Sequence, residues 1–421
     1  MWDWRRPLGR ARREVAPAAE EAKASAAGRL VALTQAGRPV WTPRDYGQLA
    51  REGFGKNPVA YRCVRMVAEG AASAPLVVFV GGERAGADHP LQRLLDRPNP
   101  EQGGPDLREA FFGALQTAGN GYLEAVGLEA GVGGSGLGSG ARGGATSTPS
   151  PRAQDPAPEL YALRPDRVKV APGANGWPAF YEYTVDGRSA RIGARDADGW
   201  SPVLHLKLFH PYDDHYGFPP IEAAAFAVDV HNASGAWNKA LLDNAARPSG
   251  ALVYGGRDGE RMTEAQHAAL KAALSEVYAG AANAGRPMVL EGGLSWTAMS
   301  LTPGEMDFIE GKHAAAREIA LAFGVPPQLL GIPGDNTYAN YREANGAFWR
   351  GTVMPLVERL ARALTGWLGP RFAAEGGGAV EVRADWDAVP ALSAERDALW
   401  ARLEAASWLS AEEKRRMEGV G

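Results

Sequence analysis

Two proline pairs, Pro219-Pro220 and Pro326-Pro327, constrain this chain more than any other feature. Proline fixes φ and carries no N–H, so it is tolerated in the first turn of a helix and disfavoured inside one. The first pair opens the helical pattern that follows it. The second bars the preceding helix from continuing. The first helix reads over 221–246, IEAAAFAVDVHNASGAWNKALLDNAA, and Arg247-Pro248 stop it. The second reads over 304–323, GEMDFIEGKHAAAREIALAF, with Gly324 at its C-cap. Between them SGALVYGG and RPMVLEGGLSWTAMSL pattern as short strands, and Thr263-x-x-Gln266 as a capping box opening a helix to about Ala279. A small α/β module therefore sits at the tip of two long helices.

Upstream, residues 28–217 read as one α+β unit. A helix over 58–72 ends before Pro75, PLVVFV (75–80) is a strand, and Gly81-Gly82 turn it. HPLQRLLDRPNP holds a short helix, and Asp106 stands where it could cap DLREAFFGALQTAG, with Leu107, Phe111 and Leu115 as its apolar stripe. Strands follow at 121–129, in ELYALRPDRVKVAP and in FYEYTVDG. SPVLHLKLF (201–209) alternates, with Leu204, Leu206 and Leu208 on one face and His205 and Lys207 on the other. Residues 131–158 are almost all Gly, Ser, Ala, Thr and Pro, which cannot bury enough apolar surface to offset their ordering entropy, so a mobile insert is expected. Residues 1–27 hold Arg5, Arg6, Arg10, Arg12 and Arg13 before an Ala/Glu-rich run, and read as a disordered basic arm.

Downstream, GDNTYANYREANGAFWRGTVMP (334–355) raises the question of a ligand loop. A helix is expected to start near Asn336-Thr337 and run to about Leu368, with Asn340-x-x-Glu343 as a capping box should it start later. Pro355 removes an amide and crowds the carbonyl of Gly351, which predicts a kink in a continuous helix. Phe348 and Trp349 are expected in the core. AVEVRADW (379–386) is a strand, and capped helices open at Ser393 and at Ser410-x-x-Glu413.

Few function classes survive. The formal net charge of −4 lacks the basic surplus of a general nucleic-acid binder. The single cysteine, Cys63, lies on an apolar helical stripe and reads as a small buried hydrophobe, and no run reaches the ~18 apolar residues of a membrane span. The N-terminal arginines have no apolar stretch behind them, so a secretory signal is not read there. Gly131, Gly133 and Gly136 match G-x-G-x-x-G, but no helix follows to hold a phosphate, and there is no P-loop. No cofactor is signalled. HLKLFHPYDDHYG gathers His205, His210, Asp213, Asp214 and His215, which admits a metal-dependent hydrolase or transferase as the alternative reading. No ligand-spacing motif focuses that cluster.

Several segments stand in a telling order: NPVAYRCVRMVAEGAASAPL, HPLQRLLDRPNP, GNGYLEAV, ELYALRPDRVKV, DDHYGFPPIEAA, AREIALAFGVPPQLLGIPGDNTYANYREANGAFWRGTVMPLV, then ERDALW and LSAEEKRRM. Together they resemble the portal (head–tail connector) proteins of long-tailed bacteriophages, and most closely those of phage-like gene transfer agents. The similarity covers nearly all of residues 45–420, with 319–355 the most specific part.

The resemblance implies a portal fold: an α/β wing, two long stem helices bracketing an α/β clip, a tunnel loop, a long kinked wing helix and an α-helical crown. Its expected bounds here are 28–217 for the wing, 218–246 and 304–324 for the stem, 247–303 for the clip, 325–388 for the loop, long helix and strand, and 389–421 for the crown. It implies a homo-oligomeric ring, usually a dodecamer, at one capsid vertex. It implies no enzymatic activity of the chain itself: terminase, a separate ATPase, would drive double-stranded DNA through the channel. Head-completion proteins and the major capsid protein would be further partners, with no membrane. Asp335, Asn336, Tyr338, Asn340 and Arg342 are the expected DNA-facing loop residues, and Glu305, Glu310, Lys312 and Arg317 the expected channel-lining stem residues. Adding Asp307 and Glu318 makes that helix net negative, as suits a wall that DNA slides along, since each neutralised phosphate would add affinity.

Overall fold

The computed structural model describes residues 40–128, 157–174, 176–193, 195, 199–243, 250–254, 263–265, 268–269, 272, 294–298, 308–333, 338–373 and 378–417. The basic arm, the Gly-rich insert up to residue 156 and Gln266 of the expected capping box lie outside them.

In chain order the elements are α1 (Tyr46–Leu49), a π-helical turn (Ala50–Phe54), α2 (Pro58–Ser73), β1 (Leu76–Val80), β2 (Glu83–Arg84), α3 (Pro90–Asp96), α4 (Gly104–Ala118) and β3 (Asn120–Val126). Then come β4 (Glu159–Leu163), β5 (Val168–Pro172), β6 (Pro178–Val185), β7 (Arg188–Gly193), β8 (Val203–Lys207), α5 (Pro220–Ala223), α6 (Ala225–Asp243), β9 (Gly250–Tyr254) and β10 (Leu294–Ala298). The remainder is α7 (Phe308–Ala322), α8 (Tyr338–Phe348), a second π-helical turn (Trp349–Val353), α9 (Met354–Phe372), β11 (Val380–Ala384), α10 (Ser393–Ala405) and α11 (Ala411–Met417).

Local chemistry explains most boundaries. Asn57 Oδ1 accepts the amides of Val59 and Ala60 and opens α2. Its stripe of Ala60, Cys63, Val67 and Ala71 is buried, and burial pushes the Cys63 thiol up to about 12. Gly324 closes the helix before it at φ +66, with the Val325 amide reaching the Ala320 carbonyl at 2.9 Å. Ser410 and Glu413 form the expected reciprocal capping box, at 2.8 and 3.2 Å.

Three expectations shift. Asp106 is not the cap of α4: the helix begins two residues earlier, Gly103 is the N-cap, and Asp106 accepts the Gly103 amide from inside the first turn. The expected helix 221–246 is interrupted at Ala224, and α6 starts anew behind it. Ser393 lies in the first turn of α10, where Leu392 is the N-cap and offers no side-chain bond. The helix through Pro355 continues as expected, but it accommodates the proline with the π-helical turn ahead of it, where the Met354 amide reaches back to the Trp349 carbonyl. Asn340 is already inside α8 and so is not its N-cap.

Four small antiparallel sheets carry the orders β11-β1-β2, β4-β3-β8, β5-β6-β7 and β10-β9. The first joins strands about 300 residues apart, with Val78 opposite Val382. The main core draws α2, α4, α7 and α9 together, so it reaches across both proline pairs. A second core of Tyr122, Leu163, Val168, Val170, Tyr181 and Val203 lies between β3 and the β5-β6-β7 sheet. The face of β8 bearing His205 therefore meets this second core, which the simple alternation did not show.

Candidate functional site

Helix α7 buries Ala315, Ala316, Ile319 and Ala320 on one side, and Phe323 just beyond its end is buried with them. Its other side exposes Glu310, Glu318 and two large apolar residues, Ile309 (68%) and Leu321 (79%). Glu305 and Asp307 lie outside the described residues, so the described acids and bases of this helix balance. Lys312 is half-buried near His231, whose imidazole is pushed down first by burial and then by that ammonium. Arg317 Nη2 donates to the Pro333 carbonyl at 2.6 Å.

The chain beyond Gly324 forms a short 3-10 turn, Pro327–Leu330, and Gly331 (φ +69) redirects it. Asp335 and Asn336 lie outside the described residues, and so does the side chain of Tyr338, where the α8 backbone begins. Asn340 and Arg342 are exposed on α8. Phe348 and Trp349 are buried, as expected from their size. The structure thus places Asn340 and Arg342 on the solvent side of a helix that follows the loop, and joins Arg317 to the last described residue of that loop by a hydrogen bond.

In the His205–His215 segment, His205 lies on β8 and His210–His215 form the turn that follows it. Asn120 Nδ2 donates to the Ala118 carbonyl at 2.6 Å, so its Oδ1 faces the Gly217 amide at 2.9 Å and His205 Nε2 at 3.0 Å. The imidazole therefore donates from Nε2 and stacks on Tyr122 with ring centroids 4.2 Å apart. Asp213 Oδ1 accepts the amides of His215 and Tyr216, an Asx turn, and His210 packs edge-on against Tyr212 and Phe218. Among the described residues no group of three or more His, Cys, Asp or Glu stands close enough to hold a metal ion. The hydrolase or transferase reading has no support.

Burial first, then Lys207 and His215, push the His205 imidazole down from 6.5 to about 3. The unfolded chain therefore binds the proton more readily, and stability is complete above about pH 6.5 and falls as the pH drops towards 3. The loss is expected to be about 2 kcal/mol per protomer at pH 5, at about 1.4 kcal/mol per pH unit. Urea melts at pH 7 and pH 5 measure it, and H205Q should flatten the difference. An equal slope in both proteins would refute the assignment.

The comparisons with known proteins agree with one another. A family model described as phage portal protein matches residues 58–419. An uncharacterised protein of Rickettsia bellii (strain RML369-C) is 38% identical over 372 residues, 88% of this chain and 88% of its own length. The portal protein of Enterobacteria phage HK97 is 24% identical over 319 residues, 74% of this chain and 66% of that protein. Among solved structures, a chain from the neck of an empty gene transfer agent particle is 49% identical, covers 94% of this chain and 100% of its own, and superposes with a TM-score of 0.64. A chain from the neck of the native particle, computed with C12 symmetry, superposes with a TM-score of 0.63.

Proposed function

Because this chain belongs to the phage portal protein family, we propose that its copies form a ring at one vertex of a phage-like capsid, and that the ring is the channel for packaging and releasing double-stranded DNA. The observation that carries this reading is the 49% identity, over 94% of the chain, to a component of gene transfer agent necks. The C12 symmetry of one of those necks supports twelve copies. The exposed Ile309 and Leu321 on α7 suit a helix whose outer side a neighbouring copy covers.

On this reading α6 and α7 are the stem, β9 and β10 belong to the clip, α8 and α9 are the long wing helix, and α10 and α11 the crown. The clip would dock terminase and then head-completion proteins, and the wing would meet the major capsid protein. Asn340 and Arg342 would make weak, sequence-independent contacts with passing phosphates, and the chemistry of translocation would belong to terminase. No described helix is long and apolar enough to cross a membrane.

Electron microscopy of the purified full-length chain is expected to show rings with a central channel, and native mass to give twelve copies. Cells lacking the chain should assemble heads without DNA. A protein that stays monomeric at high concentration, or DNA-filled heads in its absence, would overturn the proposal.

A further inference from the structure

The loop after α7 is tied at both described ends by side chains it does not itself contain. At the near end the Gly324 carbonyl accepts the Thr352 hydroxyl at 2.6 Å, from 28 residues further on. At the far end the Pro333 carbonyl accepts Arg317 Nη2 at 2.6 Å. Between these points the amides of Leu329, Gly331 and Ile332 bond within the loop, to the carbonyls of Pro326, Gln328 and Pro327.

Thr352 reaches Gly324 because of the second π-helical turn. The buried stripe of the long helix runs Ala344, Phe348, Val353, Val357, Ala361, Leu364, Leu368. A regular helix would put position 352, four after Phe348, into that stripe. The five-residue step passes the core position to Val353, which is fully buried, and leaves Thr352 half-buried at its edge. There the hydroxyl stands against Gly324: a Cβ on that glycine would lie 2.6 Å from Thr352 Oγ1. The glycine is needed twice over, for its positive φ and for the space. The same five-residue spacing, Phe348 to Val353, is legible in the sequence and is the signal that a regular-helix reading passes over.

We propose that Thr352 and Arg317 are positioning residues that hold the segment Gly324–Pro333 against the helices on either side of it. In the ring they thereby fix the described loop residues, Gly324–Pro333, beside the channel, a consequence that rests on the portal reading above. The surplus residue of the π-helical turn is what aims Thr352.

Hydrogen exchange on the full-length protein, read in the peptide holding Leu329, Gly331 and Ile332, tests the tether. T352V and R317M are each expected to speed exchange there about fivefold, the factor for losing one hydrogen bond's net contribution to local opening. The double variant should exceed either one. T352S keeps the hydroxyl and should restore the wild-type rate, with the same melting temperature throughout. Unchanged exchange in both single variants overturns the proposal, whatever the DNA content of particles. Should T352V not fold, R317M against R317K supplies the same comparison, because lysine retains a donor. DNA content of particles assembled with T352V is expected to fall. Normal filling despite a loosened loop would leave the tether standing and sink the channel reading of the loop.

Discussion

Replacing Gly217 by alanine is expected to lower the melting temperature and the soluble yield sharply. Gly119 and Gly217 bring two backbones together without side chains between them, where α4 ends and where the turn before α5 returns. The Leu208 amide donates to the Gly119 carbonyl at 2.8 Å, and the Gly217 amide donates to Asn120 Oδ1 at 2.9 Å. A Cβ on Gly217 would overlap the Gly119 carbonyl and press on the Leu208 amide, and a Cβ on Gly119 would overlap the Gly217 carbonyl. Gly119 also holds φ at +70, where any side chain is strained. Neither contact can be relieved by a rotamer, because both partners are main chain. The cost is about 3 kcal/mol or more, against a total stability of about 5–15 kcal/mol for a domain. Gly187 is the control: it has φ +76 but open space around it, so G187A should cost about 1 kcal/mol. Soluble yield and thermal unfolding of the two variants decide the matter, and a wild-type melting curve for G217A would show that the approach is not as close as described.

Removing the indole of Trp367 is expected to have the second large effect. Trp367 on α9 and Trp200 before β8 lie with rings 11° from parallel and centroids 6.2 Å apart. Each indole donates to the other's neighbourhood: Trp200 Nε1 to the Trp367 carbonyl at 2.9 Å, Trp367 Nε1 to the Ser201 carbonyl at 2.6 Å. Arg371 lies over the outer Trp200 ring at 4.5 Å. This pair fastens the long helix to the strand that carries His205. W367A loses the packing and one bond, for about 3–5 kcal/mol. W367F keeps much of the packing and leaves the Ser201 carbonyl without its indole, for about 1 kcal/mol. Denaturant melts that rank the two variants equally would sink the account of a clamp held by both packing and hydrogen bonding.

The exposed, loop-side residues were the hardest to read. Asn340 and Arg342 fall on a solvent face of a helix, and sequence pattern treats every polar residue of such a helix alike. Arg317 illustrates the difficulty: on the helix pattern it is one more charge, and its hydrogen bond to Pro333 depends on where Gly331 turns the chain. His205 shows the converse. It alternates as an outward residue should, but the β5-β6-β7 sheet covers that face and holds the imidazole neutral.

By itself the sequence determined several of the places where elements stop and start. Pro219-Pro220, Pro326-Pro327, the cap at Asn57 and the left-handed Gly324 act through clashes and bonds within a few residues of backbone, so no distant contact could override them. Two of the segments that carry the family likeness, GNGYLEAV and DDHYGFPPIEAA, include the two glycines whose backbones touch. Only the tertiary structure decided that they touch. It also decided that β11 pairs with β1, that the long helix takes an extra residue ahead of Pro355, and that Thr352 and Arg317 bond the two described ends of one loop. Each of these depends on which groups, far apart along the chain, are brought out of water and within hydrogen-bond distance, and no local pattern encodes that.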